Sequence, residues 1–217
     1  MNIHLLSKHH SVINQYISQI RDKSLQTDAM RFRKNLERIG QLIAYEVSKT
    51  LIYRKKVINT PLGKADALTI ATPIVICSIL RAGLPLHQGI LNIFDGAESA
   101  FISAKRIHKK GSEDIEIESN YTACPDLNGK ILIVADTMIA TGNSLVACLE
   151  HLKAYGSPKS LNIVSAIGSL EGVELLNEQL PKDAHLWIAD IDPTLNAQKY
   201  IVPGLGDAGD LAFGEKL

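Results

Sequence analysis

Residues Ile131 to Ser144 read ILIVADTMIATGNS. The first five, Ile131 to Ala135, form an apolar run of the length and β-branched content of a strand buried on both faces. Asp136 follows at the carboxyl end of that strand. Small and hydroxyl-bearing residues come next: Ala140, Thr141, Gly142, Asn143 and Ser144. In LVACLEHLKAYG, Leu145, Cys148, Leu149 and Leu152 have helical spacing, and Gly156 is a helix stop. The order strand, acid, small-residue turn, helix predicts a ligand site. Ligands of open parallel sheets lie just beyond the carboxyl ends of strands. A turn feeding a helix N-terminus presents unpaired amides and the positive end of the helix dipole to a phosphate. Gly142 lets the backbone come close, and Thr141 and Ser144 add hydroxyl donors. Asp136 would repel a phosphate and suits sugar hydroxyls. The alternative is a buried strand followed by an ordinary helix with Ser144 as its N-cap.

The flanking sequence repeats this arrangement. IVICSI, Ile74 to Ile79, is a second buried strand; it runs into LRAGLPL, where Arg81 follows the strand and Pro85 opens a helix. Arg81 offers a permanently charged fork that matches phosphate oxygens. SAFISA, Ser99 to Ala104, is a third strand, and a basic cluster follows it: Lys105, Arg106, His108, Lys109 and Lys110. From Gly111 to Thr122, Ile115, Ile117 and Tyr121 alternate with acids, which predicts a projecting β-arm with one solvated face. Strands at Leu161 to Ile167 and His185 to Ile191 enclose a helix at Glu171 to Leu180. Near the start, Asp28 caps a helix running to Leu51, with Phe32, Leu36, Ile39, Ile43 and Val47 on one side; VINTPL, Val57 to Leu62, reads as a short strand and turn. Strands alternating with helices give an α/β fold with a mainly parallel sheet.

Composition narrows the function classes. The chain has 217 residues, 46% of them hydrophobic, enough for one substantial domain with an appendage. Its 23 basic and 23 acidic side chains balance, which argues against a general nucleic-acid or anionic-membrane binder. No stretch reads as a signal peptide or reaches membrane-span length, so a cytoplasmic location is expected. The three cysteines, Cys77, Cys124 and Cys148, are far apart and read as small hydrophobes in a reducing compartment. The histidines show no metal-ligand spacing.

The tail, from Ile191, breaks the pattern. Gly204, Gly206, Gly209, Gly214 and Pro203 punctuate a stretch too irregular for helix or strand. It still carries Tyr200, Ile201, Val202, Leu205, Leu211 and Phe213, enough apolar area to fold down on the rest. An ordered glycine-rich loop presents backbone donors and acceptors at close range, which suits a flat heterocycle.

Together these motifs resemble the uracil phosphoribosyltransferases, which are type I phosphoribosyltransferases. DTMIATGNS, Asp136 to Ser144, resembles the loop that binds 5-phosphoribosyl-1-pyrophosphate (PRPP), and LRAGL, Leu80 to Leu84, resembles the pyrophosphate loop. YIVPGLGDAGDLAFG, from Tyr200, resembles the uracil-binding segment, and RFRKNLERIGQLIAYE, from Arg31, the opening helix. The resemblance implies a type I phosphoribosyltransferase fold: a mainly parallel sheet flanked by helices, with a β-arm and a C-terminal glycine-rich hood. It implies a single domain over residues 1–217, with a core at about 70–190 and a hood from 191–217 and parts of the N-terminal segment. Asp136 and Arg81 would be catalytic. Asp136 would hold the ribose hydroxyls, and Thr137, Met138, Ile139, Ala140, Thr141, Gly142, Asn143 and Ser144 would wrap the 5-phosphate. Arg81 and Arg106 would meet pyrophosphate, with Lys109 or Lys110 as alternatives to Arg106. Ile201, Gly206 and Ala208 would contact uracil through the backbone, with Asp207 on the PRPP side. Mg²⁺ would be held mainly by PRPP and water. A homodimer or higher homo-oligomer is implied, and GTP activation occurs in some members.

Three positions depart from the family pattern. Thr137 stands where Pro is usual, Asn143 replaces a common Gly, and Lys105 replaces an aromatic residue. Asn143 is expected to tolerate a left-handed backbone there. The rival readings are a phosphoribosyltransferase for another base, an RNA-binding regulator on the same fold, and a degenerate homologue with an interaction role.

Overall fold

The computed structural model describes residues 1–103 and 121–216, and the backbone of 105–108 and 115–118. The chain opens with β1 (Asn2–Leu5), α1 (Val12–Arg21) and α2 (Ala29–Ser48). A hairpin of β2 (Tyr53–Thr60) and β3 (Gly63–Ile70) precedes β4 (Ile74–Leu80), α3 (Gly83–Leu91) and β5 (Glu98–Ser103). A second hairpin, β6 (Lys105–His108) and β7 (Ile115–Glu118), is followed by β8 (Thr122–Ala123), β9 (Ile131–Ala135), β10 (Met138–Ile139) and α4 (Asn143–Leu152). The rest comprises β11 (Ser160–Ser169), α5 (Leu170–Gln179), β12 (His185–Asp192), β13 (Thr194–Leu195), β14 (Ile201–Val202) and α6 (Ala208–Phe213).

The main sheet runs β1-β12-β11-β9-β4-β5-β8. Every pairing along that path is parallel except the edge pair β5–β8. The expected mainly parallel α/β sheet is therefore present. Both faces are covered, which is why β9 reads as an unbroken apolar run. Ile131, Ile133 and Ala135 face the layer of α1, α2 and α3, where Phe32, Leu36, Ile39, Ile43 and Leu86 are buried. Leu132 and Val134 face the opposite layer, with Leu145, Leu149, Val173 and Leu176 of α4 and α5. Among the described residues, no helix is long and apolar enough to cross a membrane.

Several sequence expectations are corrected. The first 27 residues supply an edge strand and a helix that the sequence pattern does not reveal. β1 pairs with β12, and α1 is closed by a capping box between Ser11 and Asn14. The strand at Val57 is half of an eight-residue-per-strand hairpin whose side chains mostly face solvent. The projecting arm begins earlier than Gly111, because Lys105, Arg106 and His108 belong to its first strand. Lys109, Lys110 and residues 111–114 lie outside the described residues. The tail contains a short helix, α6, which its composition had concealed.

The layers meet most tightly where α2 crosses α3. A Cβ on Gly89 would lie 2.0 Å from the Glu37 carbonyl oxygen, and one on Gly40 would lie 2.4 Å from the Leu86 carbonyl oxygen. The obstacles are backbone atoms, so the helices must separate to admit a methyl group. Gly89→Ala should destabilise the protein by about 1–3 kcal/mol or more in urea unfolding; wild-type stability would contradict this contact.

Two histidines are held below their ordinary pKa. Burial lowers that of His87, which bonds Ser99 Oγ at 3.1 Å. Burial and then the neighbouring His185 lower that of His4. The folded state therefore refuses protons that the unfolded chain accepts, so this contribution is complete above the ordinary value of 6.5 and is lost below it. Unfolding free energy should be level from about pH 8 to about 6.5 and fall toward about pH 5, with a shallower fall in His87→Gln. A level wild-type profile down to about pH 5 would refute the assignment.

Candidate active site

Parallel strands bring their carboxyl ends to one edge. Ser78 of β4 pairs with Ala135 of β9, and Leu80 pairs with Ser103 of β5. The loops carrying Arg81 and Asp136 consequently leave the sheet side by side. The Asp136 amide donates to Val164 O at 3.0 Å, so the first loop residue still follows β11.

Beyond Asp136 the chain turns at Gly142, whose φ of 80° is left-handed. Gly142 is the N-cap of α4, and no side chain caps the helix. This removes the alternative of an ordinary helix capped by Ser144 and leaves the helix's first amides to face an anion. Asn143 needs no left-handed conformation: it is exposed and is the first residue of α4. Ser169, at the end of β11, donates to Ala140 O at 2.6 Å while its oxygen accepts from Gly172 N at 2.9 Å. In a trans peptide the C=O and N–H point in opposite directions. Holding the Ala140 carbonyl inward therefore turns the Thr141 amide outward. A Cβ on Gly172 would come within 2.3 Å of Ala140 O, so α5 packs against this loop as closely as glycine allows.

Arg81 reaches across to the tail. Its Nη2 lies 2.8 Å from Asp210 Oδ1, and its Nη1 donates to Gly214 O at 3.2 Å. Its Nε is buried without a partner among the described residues, a donor that an anionic oxygen would satisfy. The Leu80–Arg81 peptide is cis.

The hood is held by charge. Arg21, the last residue of α1, donates through Nη1 to Asp192 Oδ2 at 2.8 Å and to Gly204 O at 3.0 Å. Its Nη2 donates to Asp192 Oδ1 at 3.0 Å and Asp190 Oδ2 at 2.9 Å. Asp192 also accepts from Gly204 N at 3.1 Å, so the turn after Pro203 is gripped at both its amide and its carbonyl. Asn196 Oδ1 accepts from the amides of Gln198 and Tyr200, shaping the segment that leads to Ile201. Asp207 caps α6 by accepting from Asp210 N at 3.0 Å. Arg33 donates to Ala212 O at 2.6 Å and ties α6 to α2.

These loops enclose a cleft of about 840 Å³. Arg81, Asp136, Met138, Ala140, Ser144, Ile201, Gly206, Asp207 and Ala208 all line it. Ile139, Thr141 and Gly142 line a smaller adjoining pocket. Thr137 is fully buried, and its hydroxyl donates to Ala82 O at 2.7 Å, so its side chain is turned away from any phosphate. The Arg106 and Lys105 side chains lie outside the described residues. Burial first, and then the nearby Asp136, push the Cys148 thiol up to about 12. Burial pushes Cys77 higher still, so neither is a ready nucleophile. Sequence reasoning missed Arg21, Asp192, Ser169, Asn196 and Asp210. Ser169 carried a legible signal, a serine just before a helical pattern. The others are distant in sequence from the groups they hold.

The comparisons with known proteins agree with one another. The family model described as uracil phosphoribosyltransferase matches residues 7–215. A uracil phosphoribosyltransferase of Porphyromonas gingivalis is 45% identical over 218 residues, covering 100% of this chain and 100% of the relative. One of Pyrococcus furiosus is 38% identical over 206 residues, covering 94% of this chain and 86% of its own. The solved structure of the AQ2163 protein from Aquifex aeolicus, 31% identical, covers 98% of each chain with a TM-score of 0.87. The cleft, the loops around it and these relatives agree, and the chain belongs to the uracil phosphoribosyltransferase family.

Proposed function

We propose that the chain transfers the phosphoribosyl group of PRPP to N1 of uracil, forming UMP and pyrophosphate in pyrimidine salvage. The observation that carries this reading is the convergence of three unlike surfaces on one cleft: the amide-rich loop beside Asp136, the Arg81 guanidinium, and the hood from Ile201 to Ala208. The loop from Ala140 to Ser144 would hold the 5-phosphate through its amides and hydroxyls. Asp136 would take the ribose hydroxyls, and Arg81 the pyrophosphate through the N–H groups not engaged by Asp210 and Gly214. Backbone groups at Ile201, Gly206 and Ala208 would read the uracil edge, with Asp207 between base and sugar.

The reaction asks little covalent chemistry of the protein. The C1–O bond breaks with its electron pair leaving on pyrophosphate, and positive charge builds on the ribose ring. N1 of uracil forms the new bond from the opposite face, and its proton passes to the departing pyrophosphate or to water. Fixing both substrates in line is worth up to about 7–11 kcal/mol. Arg81 would stabilise the departing diphosphate, and the Asp136 carboxylate would orient the ribose and favour its cationic character. Asp136 and Asp207 offer the hard oxygen donors that suit Mg²⁺. We assign the ion mainly to pyrophosphate and water, because Mg²⁺ keeps much of its hydration shell and is usually held through substrate phosphates. When bound, Mg²⁺ supplies neutralisation of the leaving group's charge.

We infer a homo-oligomer from the β2–β3 hairpin. It stands apart from the main sheet, and Val57 (61% exposed), Leu62 (101%) and Leu68 (66%) project from it. Two-stranded hairpins are marginal alone, and exposed apolar clusters mark contact surfaces. A second copy of this chain would cover it. Val57→Glu with Leu68→Glu should convert a dimer or larger species to monomer in light scattering; an unchanged mass would exclude the hairpin as the interface.

The deciding assay combines the purified chain with PRPP, Mg²⁺ and uracil, and follows UMP, with cytosine and hypoxanthine as controls. UMP should form with uracil, and neither control base should yield a nucleotide at a comparable rate, because mismatched bases leave buried groups unpaired. Repeating the assay with GTP tests the effector that the family resemblance implies. Asp136→Asn should lower kcat about a hundredfold without loss of fold. A nucleotide formed from hypoxanthine instead of uracil, or full activity in Asp136→Asn, would overturn the respective assignment.

A further inference from the structure

We propose that Thr137 is the positioning residue that sets the distance between the two phosphate-binding loops; this rests on the proposed reading of those loops as holding the two ends of PRPP. Thr137 follows Asp136 directly and has 0% exposure, so it touches no substrate with its side chain. Its Oγ1 donates to Ala82 O at 2.7 Å. Ala82 is the neighbour of Arg81 and the N-cap of α3. Thr137 is itself pinned to β11, because its carbonyl accepts from the amides of Ala166 and Ile167, both at 3.2 Å. One residue therefore fastens the Arg81 loop to the Asp136 loop and both to the sheet.

The Ser78 hydroxyl is buried beside Gly83 and has no partner among the described residues. Gly83 packs so closely on β9 that a Cβ would lie 2.6 Å from Ala135 O, so the two loops are in backbone contact and small displacements are felt at once. Holding the Ala82 carbonyl toward Thr137 also turns the Gly83 amide, at the start of α3, the opposite way. A ligand that spans both loops depends on their separation. A ligand that meets one loop does not.

The test uses the full chain with Thr137→Val, which keeps the shape and removes the hydroxyl, and Thr137→Ser, which keeps the hydroxyl. Thr137→Val should raise the KM for PRPP about tenfold, with Thr137→Ser returning to within about twofold of wild type. The KM for uracil and the affinity for UMP, which carries no pyrophosphate, should not move. Equal KM values for PRPP in wild type and Thr137→Val would overturn the proposal. So would a parallel loss for PRPP, uracil and UMP, which marks general destabilisation. Calorimetric titration with magnesium PRPP in the absence of uracil reads the span without turnover: affinity should fall in Thr137→Val and recover in Thr137→Ser, whereas magnesium pyrophosphate, which meets one loop, should bind all three proteins alike. Unchanged PRPP affinity in Thr137→Val overturns the clasp even if the wild type proves to use another base. Failure of the wild type to make UMP counts against the uracil reading alone.

Discussion

The site depends on side-chain donors that seize loop carbonyls. Ser169 holds Ala140 O, Thr137 holds Ala82 O and Arg21 holds Gly204 O. Each bond fixes a peptide plane, and the amide of the same plane must then point the other way. A loop rich in small residues has many conformations and loses much entropy when ordered. Tying its carbonyls inward selects the conformers in which its amides face out. This is how an α/β scaffold with no charged side chain in its Ala140–Ser144 loop can still present donors to an anion.

Arg81 introduces a second constraint. Its guanidinium is shared with Asp210 and Gly214 of the hood, so the loop assigned to pyrophosphate and the segment assigned to uracil are joined by one side chain. The pair is about one-third exposed on each side, so its net contribution to stability is small. Its value is geometric, because it directs the fork and leaves the buried Nε as an unmet donor. Arg81 is therefore a physical link between the loop after β4 and the hood.

Much of this architecture was legible because burial on both faces leaves an uninterrupted apolar run in sequence. Ile74 to Ile79 and Ile131 to Ala135 are legible in this way, and their carboxyl ends locate Arg81 and Asp136. The same logic failed at β1, a four-residue edge strand with exposed positions, and at the hairpin β2–β3, whose side chains meet mostly solvent. It failed again at α6, where six residues between glycines carry too little periodicity to read as a helix. Thr137 and Asn143 looked alike in sequence, as polar substitutions in one loop. The structure separates them: Thr137 is buried and bonded, whereas Asn143 is exposed at the helix start, with Gly142 supplying the left-handed turn.

The hood shows why polar tethers, which sequence patterns reveal poorly, matter most here. Ile201, Leu205, Ala208 and Ala212 join the core under α2, but apolar contact is non-directional and permits sliding. Arg21 removes that freedom. With its side chain 17% exposed and that of Asp192 6% exposed, the pair is largely desolvated and bidentate. Replacing such a pair with apolar residues can leave stability unchanged, whereas deleting one partner strands a buried charge at a cost of about 3–5 kcal/mol. Its contribution is therefore register more than affinity. The N-terminal helix, the end of β12 and the turn at Gly204 must meet at one point, or the guanidinium loses acceptors. Arg21 and Gly204 are separated by most of the chain, so the register of the segment assigned to the base is set by residues that no local reading of the tail would connect to it.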